Sequence, residues 1–392
     1  MLGAGILMQE SGLGLMEDKN MKILHVASHW GVYRGGAVQL SRIAMEQKKR
    51  GNKVGIVFPD KYLKNPYKRY KDVGSWNFLR KYGIKIQPIR FSASGGHKRL
   101  VQHILKEKYD IIHAHRNEAL LSTTRSLMKY DIPIIAQRGT ITKPDKPHLI
   151  AGFRSKNVKA IVTVANAVKK MMTQVIGKDK KNIIHTVYGS VDTKLFAPRN
   201  PDMKILDKLN LPENAKIIGS LSSYRKTKKI DNILYSLKEL IKEDPLIYGV
   251  FLGSKLHKKI IPLAKKLGIM TKCRFLGHQS NIIPYISIFN LNIVAANDQE
   301  GLSGVLRESL SMGIPSISTD CAGNNEIIVN KQTGLLIPVD DINALTNAIQ
   351  WSFSNKKASM EMAERGRKWV LDNCTPDVQV NRLDKIYSQA VN

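Results

Sequence analysis

Short apolar runs alternate with helix-patterned stretches along almost the whole chain. Lys22–Ser28 (KILHVAS) predicts a buried strand. Gly35 and Gly36 follow it, then a helix over Ala37–Arg50 and a second strand over Lys53–Phe58. Ile84–Ile89, Ile111–His115, Ile132–Gln137 and Ala160–Val164 continue the series. Repeated strand–helix alternation of this kind predicts a parallel sheet covered by helices on both faces. The turn-rich, charged stretch Ala197–Asp202 (APRNPD) breaks the rhythm and reads as a linker. A second series follows, with strands expected at Lys216–Leu221, Ile247–Gly253, Arg274–Leu276, Leu291–Ala295, Ile314–Ser318 and Gly334–Ile337. Helices are expected at Ile230–Lys242 and Lys258–Gly268.

The fold class expected is therefore α/β, with two successive Rossmann-like, doubly wound domains. Residues 1–20 read as a flexible extension, because Met21 directly precedes the first strand. The first domain is expected over 21–199 and the second over 200–374. From about Thr375 the pattern is helical, with Val378, Leu383, Ile386 and Tyr387 apolar. Such a helix suits either domain; packing back on the first is the expectation.

Composition narrows the class. Of 392 residues, 43% are hydrophobic and 24% charged, enough to bury a sizeable core. Three isolated cysteines, Cys273, Cys321 and Cys374, form no Cys-x-x-Cys pair. That argues against a disulfide scaffold or structural zinc and fits a reducing compartment. No apolar run is long enough to predict a transmembrane helix. Met1–Met8 is apolar, but acidic Glu10, Glu17 and Asp18 follow and no basic residue precedes it, so it makes a poor signal peptide.

Charge adds a partner class. Lysine and arginine number 62 against 32 acidic residues, a net +30. Residues 1–200 carry +24 of this excess and residues 201–392 only +6. The first half is thus expected to face something anionic: nucleic acid, an anionic membrane or a phosphorylated substrate. A solvated basic surface is the alternative. Aromatic-rich basic strands, a zinc pattern and a helix-turn-helix are all missing, which disfavours a nucleic-acid-binding protein.

The richest chemistry lies in Asp298–Glu308 (DQEGLSGVLRE), a loop after a strand that runs into a helix. Open α/β sheets bind ligands at such strand ends. Gly301 and Gly304 permit close backbone approach, Ser303 suits an N-cap, and the amides of a helix start suit a phosphate. Glu300 and Glu308 cannot ligate a phosphate, but can accept sugar hydroxyls on either side of a diphosphate. Spacing alone leaves open whether Glu308 instead pairs with a surface base such as Arg307.

The ordered run Glu300-Gly301, Glu308-Ser309-Leu310, Gly313-Ile314-Pro315, Gly323, Glu326-Ile327-Ile328, Thr333-Gly334-Leu335-Leu336 and Asp340 resembles glycosyltransferase family 4. The resemblance extends over nearly the whole chain from Met21. Gly35-Gly36 resembles the glycine-rich loop after the first strand, and Asp110–His115 (DIIHAH) the strand carrying an active-site histidine. Val187–Phe196 (VYGSVDTKLF) is similar to the segment closing the first domain. Gly219–Asp231 (GSLSSYRKTKKID) is similar to a phosphate-binding loop, and Arg274–His278 (RFLGH) to the strand whose following loop, at Gly277, receives the nucleotide base. Departures are Ser220 where the family has arginine, Gly189-Ser190 where it has Asn-Gly, and Arg138 where many members have histidine.

The resemblance implies a GT-B fold of two facing Rossmann-like domains and retaining transfer of a sugar from a nucleoside diphosphate donor to an acceptor hydroxyl. Glu300, with the amides of Gly301, Leu302 and Ser303, would hold the donor sugar, and Glu308 the ribose hydroxyls. Lys228 or Lys226, with Arg225, would stabilise the departing diphosphate in place of a metal ion. Gly35 and Gly36 would approach that phosphate from the first domain. His115 would contact the sugar, although alone it reads as a satisfied buried histidine; His113 reads as structural. Arg138 points to an acceptor or sugar contact. No cofactor or metal is expected, since Asp340-Asp341 lie beyond the motif and no Asp-x-Asp pair falls in a suitable loop. The expected setting is the cytoplasm, peripheral on the inner membrane face, with a lipid-linked or saccharide acceptor of envelope polysaccharide synthesis. A nucleotide-sugar epimerase of similar fold is the rival reading.

Overall fold

The computed structural model describes residues 20–29, 35–60, 74, 76–91, 95–297 and 301–392. Strands β1 Lys22–Ala27, β2 Lys53–Phe58, β3 Lys85–Pro88, β4 Ile111–His115, β5 Ile134–Arg138, β6 Val158–Thr163 and β7 Ile184–Thr186 form one sheet. Strands β8 Lys216–Leu221, β9 Ile247–Leu252, β10 Cys273–Phe275, β11 Leu291–Val294, β12 Ser316–Thr319 and β13 Leu335–Ile337 form a second. Their orders are β3-β2-β1-β4-β5-β6-β7 and β10-β9-β8-β11-β12-β13, and every pairing is parallel. This is the α/β class that the alternation predicts. The edge strand β7 has no sequence signal of its own; its pairing to β6 defines it.

The central strands are apolar on both faces because both faces are covered. Leu24, Val26, Ile112, Ala114, Ile134 and Ala136 enter one core cluster with helix residues Leu100, Ile104, Leu120 and Val168. Ile23, Ile111, Ile135, Ala160 and Val162 face the other way, against Ile43 and the terminal helix Pro376–Val391. That helix contributes Val380, Leu383, Ile386 and Tyr387, all buried. Arg50, at the end of helix Gly36–Lys49, ties it down through Asp377 at 2.6 Å and Asp384 at 2.9 Å.

In the sequence Tyr62, Tyr67, Tyr70 and Trp76 lie among basic residues and read as exposed aromatics, a reading that needs one correction. Trp76 is buried and stacks on Phe58, with ring centroids 5.7 Å apart. Its large apolar area gains more from the core than from any surface role. Tyr62, Tyr67, Tyr70 and the basic positions Lys61, Lys64, Lys68, Arg69 and Lys71 lie outside the described residues. Lys98 and Arg99 are exposed.

Candidate active site

Each sheet has one point where its strand order reverses, between β1 and β4 in the first and between β8 and β11 in the second. Loops leaving neighbouring strands there run to opposite faces and open a crevice at the carboxyl ends. Gly35-Gly36 follows β1, and His115 is the last residue of β4. In the second sheet one loop is 222–229 and the other leaves β11. They are joined where the Asn297 amide donates to the Thr227 carbonyl at 2.9 Å.

Gly35 has φ +49° and ψ −120°, a conformation that glycine adopts without strain. A Cβ on Gly36 would stand 2.8 Å from His29 Nε2. Helix Gly36–Lys49 starts without a side-chain cap, so its first amides have no such acceptor.

Ser303 caps helix Gly304–Ser311 as expected, its hydroxyl accepting from the Leu306 amide at 3.4 Å. Its own amide is occupied: it donates to Asn324 Oδ1 at 3.2 Å, and so is not the open donor the motif suggests. Gly301 lies against the first half, where a Cβ would meet the Gly139 carbonyl at 2.5 Å. Gly323 in turn lies against the Gly301 carbonyl, 2.1 Å from where its own Cβ would be. Leu302 is buried beside them. Glu300 lies outside the described residues.

Glu308 is half-buried, and its carboxylate makes no hydrogen bond among the described residues. Desolvation raises its pKa above the ordinary carboxylate value, against the pull of Arg42 and Arg307. Arg307 is not the surface base considered above. It is buried and reaches across to the Gly189 carbonyl.

The three basic candidates at the β8 loop differ. Arg225 and Lys226 are exposed, while Lys228 is half-buried and engaged. Lys229 turns to Asp340 at 2.7 Å. Asp340 also accepts from Asn232, and Asp341 caps helix Ile342–Ser354. Gly277 has φ +65°, and its carbonyl accepts from the Gly253 amide at 2.7 Å. Arg138 is buried, held by Asn117 Oδ1 at 2.9 Å and by the Thr142 carbonyl, with Nε unpartnered. His115 is buried and hydrogen-bonded to His25; His113 is buried against Tyr387.

Known families match the chain in two parts. The description "Glycosyltransferase Family 4" matches residues 33–195, and "Glycosyl transferases group 1" matches 202–369. The chain is built from these two glycosyltransferase domains, a family 4 domain followed by a group 1 domain. It is 26% identical over 169 residues to the lipopolysaccharide core biosynthesis glycosyltransferase LpsE of Rhizobium meliloti (strain 1021), covering 42% of this chain and 47% of LpsE. The chain thus spans about half the length of that relative. It is 23% identical over 359 residues to the capsular polysaccharide biosynthesis glycosyltransferase CapM of Staphylococcus aureus, covering 80% of this chain and 92% of CapM. Anabaena Alr3699/HepE, solved in complex with UDP-glucose, superposes with a TM-score of 0.80 at 17% identity, over 94% of this chain and 99% of that one. The likeness establishes the GT-B fold.

Beyond its motifs, this glycosyltransferase chain uses residues that sequence reading passed over. Gln39 both donates to the Ser190 carbonyl at 2.8 Å and accepts from the Ser190 amide at 2.7 Å. Arg42 donates to the same carbonyl at 2.7 Å. With Arg307 they clamp Gly189-Ser190, the segment that departs from the family pattern. A Cβ at Gly189 would lie 2.5 Å from Arg307 Nη1 and 2.8 Å from Gln39 Oε1, so a larger residue there would push aside the side chains that make the clamp. The only available signal was amphipathic placement of Gln39 and Arg42 on a helix, which also describes any surface helix.

Proposed function

We propose that this protein is a retaining glycosyltransferase that moves a hexosyl-type sugar from a nucleoside diphosphate donor to an acceptor hydroxyl, in synthesis of a bacterial envelope polysaccharide or lipopolysaccharide. The observation that supports it best is the clustering of motif residues from both halves at the two strand-order reversals. The Gly301–Gly139 contact joins the two halves at that seam. The solved complex of HepE with UDP-glucose supports a nucleotide-sugar donor.

In this reading Glu308 binds the ribose hydroxyls and Glu300 holds the donor sugar. Its raised pKa makes Glu308 a strong hydrogen-bond acceptor in a desolvated place. Lys228 or Lys226, with Arg225, stabilises the leaving diphosphate; Gly36 and the start of its helix approach from the other side. His115 faces the sugar. No nucleophile on the acceptor face is evident, which fits a front-face displacement in which the leaving phosphate takes the acceptor proton. The charge is supplied by these basic side chains and not by a metal, so turnover persists in excess EDTA. A nucleotide-sugar epimerase, by contrast, converts donor without acceptor.

A groove of the first half is lined by Arg80, Lys85, Arg90, Arg99 and Lys106 against Asp60 and Glu107, Lys85 pairing with Glu107 at 2.7 Å; its net basic lining supports an anionic partner there. No helix among the described residues is long and apolar enough to cross a membrane. We infer peripheral binding to an anionic membrane surface that presents a lipid-linked acceptor.

A thermal-shift panel of UDP, GDP and ADP and their sugars tests the donor. The preferred ligand at about one hundred times its Kd stabilises by about 2.7 kcal/mol. No shift with any of them overturns the reading.

A further inference from the structure

His25, His113 and His115 are buried on one face of the first sheet, His25 standing opposite His113 in the β1–β4 register. Their ligand-capable nitrogens lie within 4.8 Å of one another. Such a trio resembles a cation site, yet five of the six ring nitrogens are already engaged by protein. His25 Nε2 meets Gln47 Oε1 at 2.7 Å, and His25 Nδ1 meets His115 Nε2 at 2.9 Å. His113 Nδ1 meets the Tyr387 hydroxyl at 2.6 Å, and His113 Nε2 meets Gln137 Oε1 at 3.1 Å. His115 Nδ1 alone makes no hydrogen bond among the described residues.

The protons run through this network in one consistent direction. Gln47 Nε2 donates to the Tyr387 hydroxyl at 3.4 Å, which turns Oε1 toward His25. An oxygen there accepts, so His25 carries its proton on Nε2. A neutral imidazole has one proton, so His25 Nδ1 is a bare lone pair and His115 must donate to it from Nε2. Tyr387, having accepted from Gln47, donates to His113 Nδ1, and His113 Nε2–H donates to Gln137. Burial holds all three rings neutral. The consequence for His115 is a protonated Nε2 and a bare Nδ1.

We propose that Gln47 and Tyr387 are positioning residues that hold His115 in the Nε2–H tautomer, so that its Nδ1 accepts a hydrogen bond from a hydroxyl of the transferred sugar. The relay stands on the hydrogen bonds above; only the sugar hydroxyl rests on the proposed function. A residue of the terminal helix thereby sets the chemistry of a strand end on the neighbouring sheet face. Rotating the Gln47 and Gln137 amides together by half a turn would reverse every bond and make His115 present Nδ1–H, a donor.

Long-range nitrogen–proton correlation spectra of the full chain labelled with 15N-histidine read the tautomers directly. The expected result is a protonated Nε2 and a bare Nδ1 on all three rings; a protonated Nδ1 on His115 overturns the proposal. Tyr387→Phe removes one hydroxyl at nearly constant volume. It is expected to give a second His115 tautomer and to lower kcat by roughly tenfold or more, with KM for the donor changing less and nucleotide affinity by calorimetry unchanged. Gln47→Met is expected to give the same pattern. A single unchanged His115 tautomer with wild-type kcat in both variants overturns the positioning role. Wild-type protein that binds no nucleotide sugar overturns the proposed function, and with it the sugar contact, while the tautomers still decide the relay.

Discussion

Glu326 and Asn166 belong to opposite halves of the molecule, yet the carboxylate of the first caps the helix that the second begins. Glu326 Oε2 accepts from the Asn166 amide and Oε1 from the Ala167 amide, each at 2.8 Å, and the Tyr188 hydroxyl donates to Oε2 at 2.9 Å. A carboxylate at a helix N-terminus satisfies orphan amides and complements the helix dipole. Glu326→Ala is expected to destabilise by about 1–2 kcal/mol in chemical denaturation. It should also speed hydrogen exchange at Asn166 and Ala167; unchanged exchange at both would show that the cap does not persist in solution.

Gly323→Ala tests the packing of the seam. The added Cβ would fall 2.1 Å from the Gly301 carbonyl and 2.7 Å from Ala165 Cβ. Backbone must therefore move, and overpacking of this kind costs about 1–3 kcal/mol. Since the displaced segment leads into Ser303 and its helix, nucleotide affinity should fall along with stability. Wild-type values of both would show that the seam opens freely.

Glu308→Ala is expected to weaken nucleotide binding at least about tenfold, since a bond to a charged acceptor contributes about 1.5–3 kcal/mol. Glu300→Gln should leave that affinity nearly intact and lower turnover, because a contact made in the transition state acts on kcat. Calorimetry and initial rates on the two variants separate these roles. The reverse pattern would exchange the assignments.

Acid should weaken the fold through the buried histidines. Burial lowers the pKa of His25 to about 4 from an ordinary 6.5, and holds those of His113 and His115 well below it. Below the ordinary value the unfolded chain binds protons that the folded chain refuses, so stability is complete above pH 6.5 and is lost as pH falls toward 4. Each such group adds a slope of up to about 1.4 kcal/mol per pH unit. Denaturation midpoints compared between about pH 7.5 and about pH 5.5 should fall with acid, and less so in His25→Gln. A flat profile would mean that these rings titrate normally.

Liposome cosedimentation addresses the charge of the first half. Each basic residue near an anionic lipid surface contributes about 1 kcal/mol. Binding to anionic vesicles should exceed binding to neutral ones and weaken with salt, as exposed charges are screened within about 8–10 Å. Equal binding to both vesicle types, or to neither at low salt, would leave a solvated basic surface.

The alternation of apolar runs and helical stretches determined the α/β class and located most strands within a residue or two, because strands buried on both faces must be apolar throughout. Gly35 and Gly301 were legible too, because a positive φ and a close backbone approach restrict residue type locally. Tertiary structure alone decided what those residues meet. Trp76 among basic and aromatic neighbours reads as surface, and only its stacking on Phe58 places it in the core. Gln39, Arg42 and Arg307 are unremarkable polar helix residues until Gly189-Ser190 is folded against them. Gln47, His25, His115 and Tyr387 span almost the whole chain, and no local pattern joins them. Hydrophobic periodicity is written residue by residue along the chain, whereas a hydrogen bond between distant groups depends on where two separate elements pack, and that is set by the whole core.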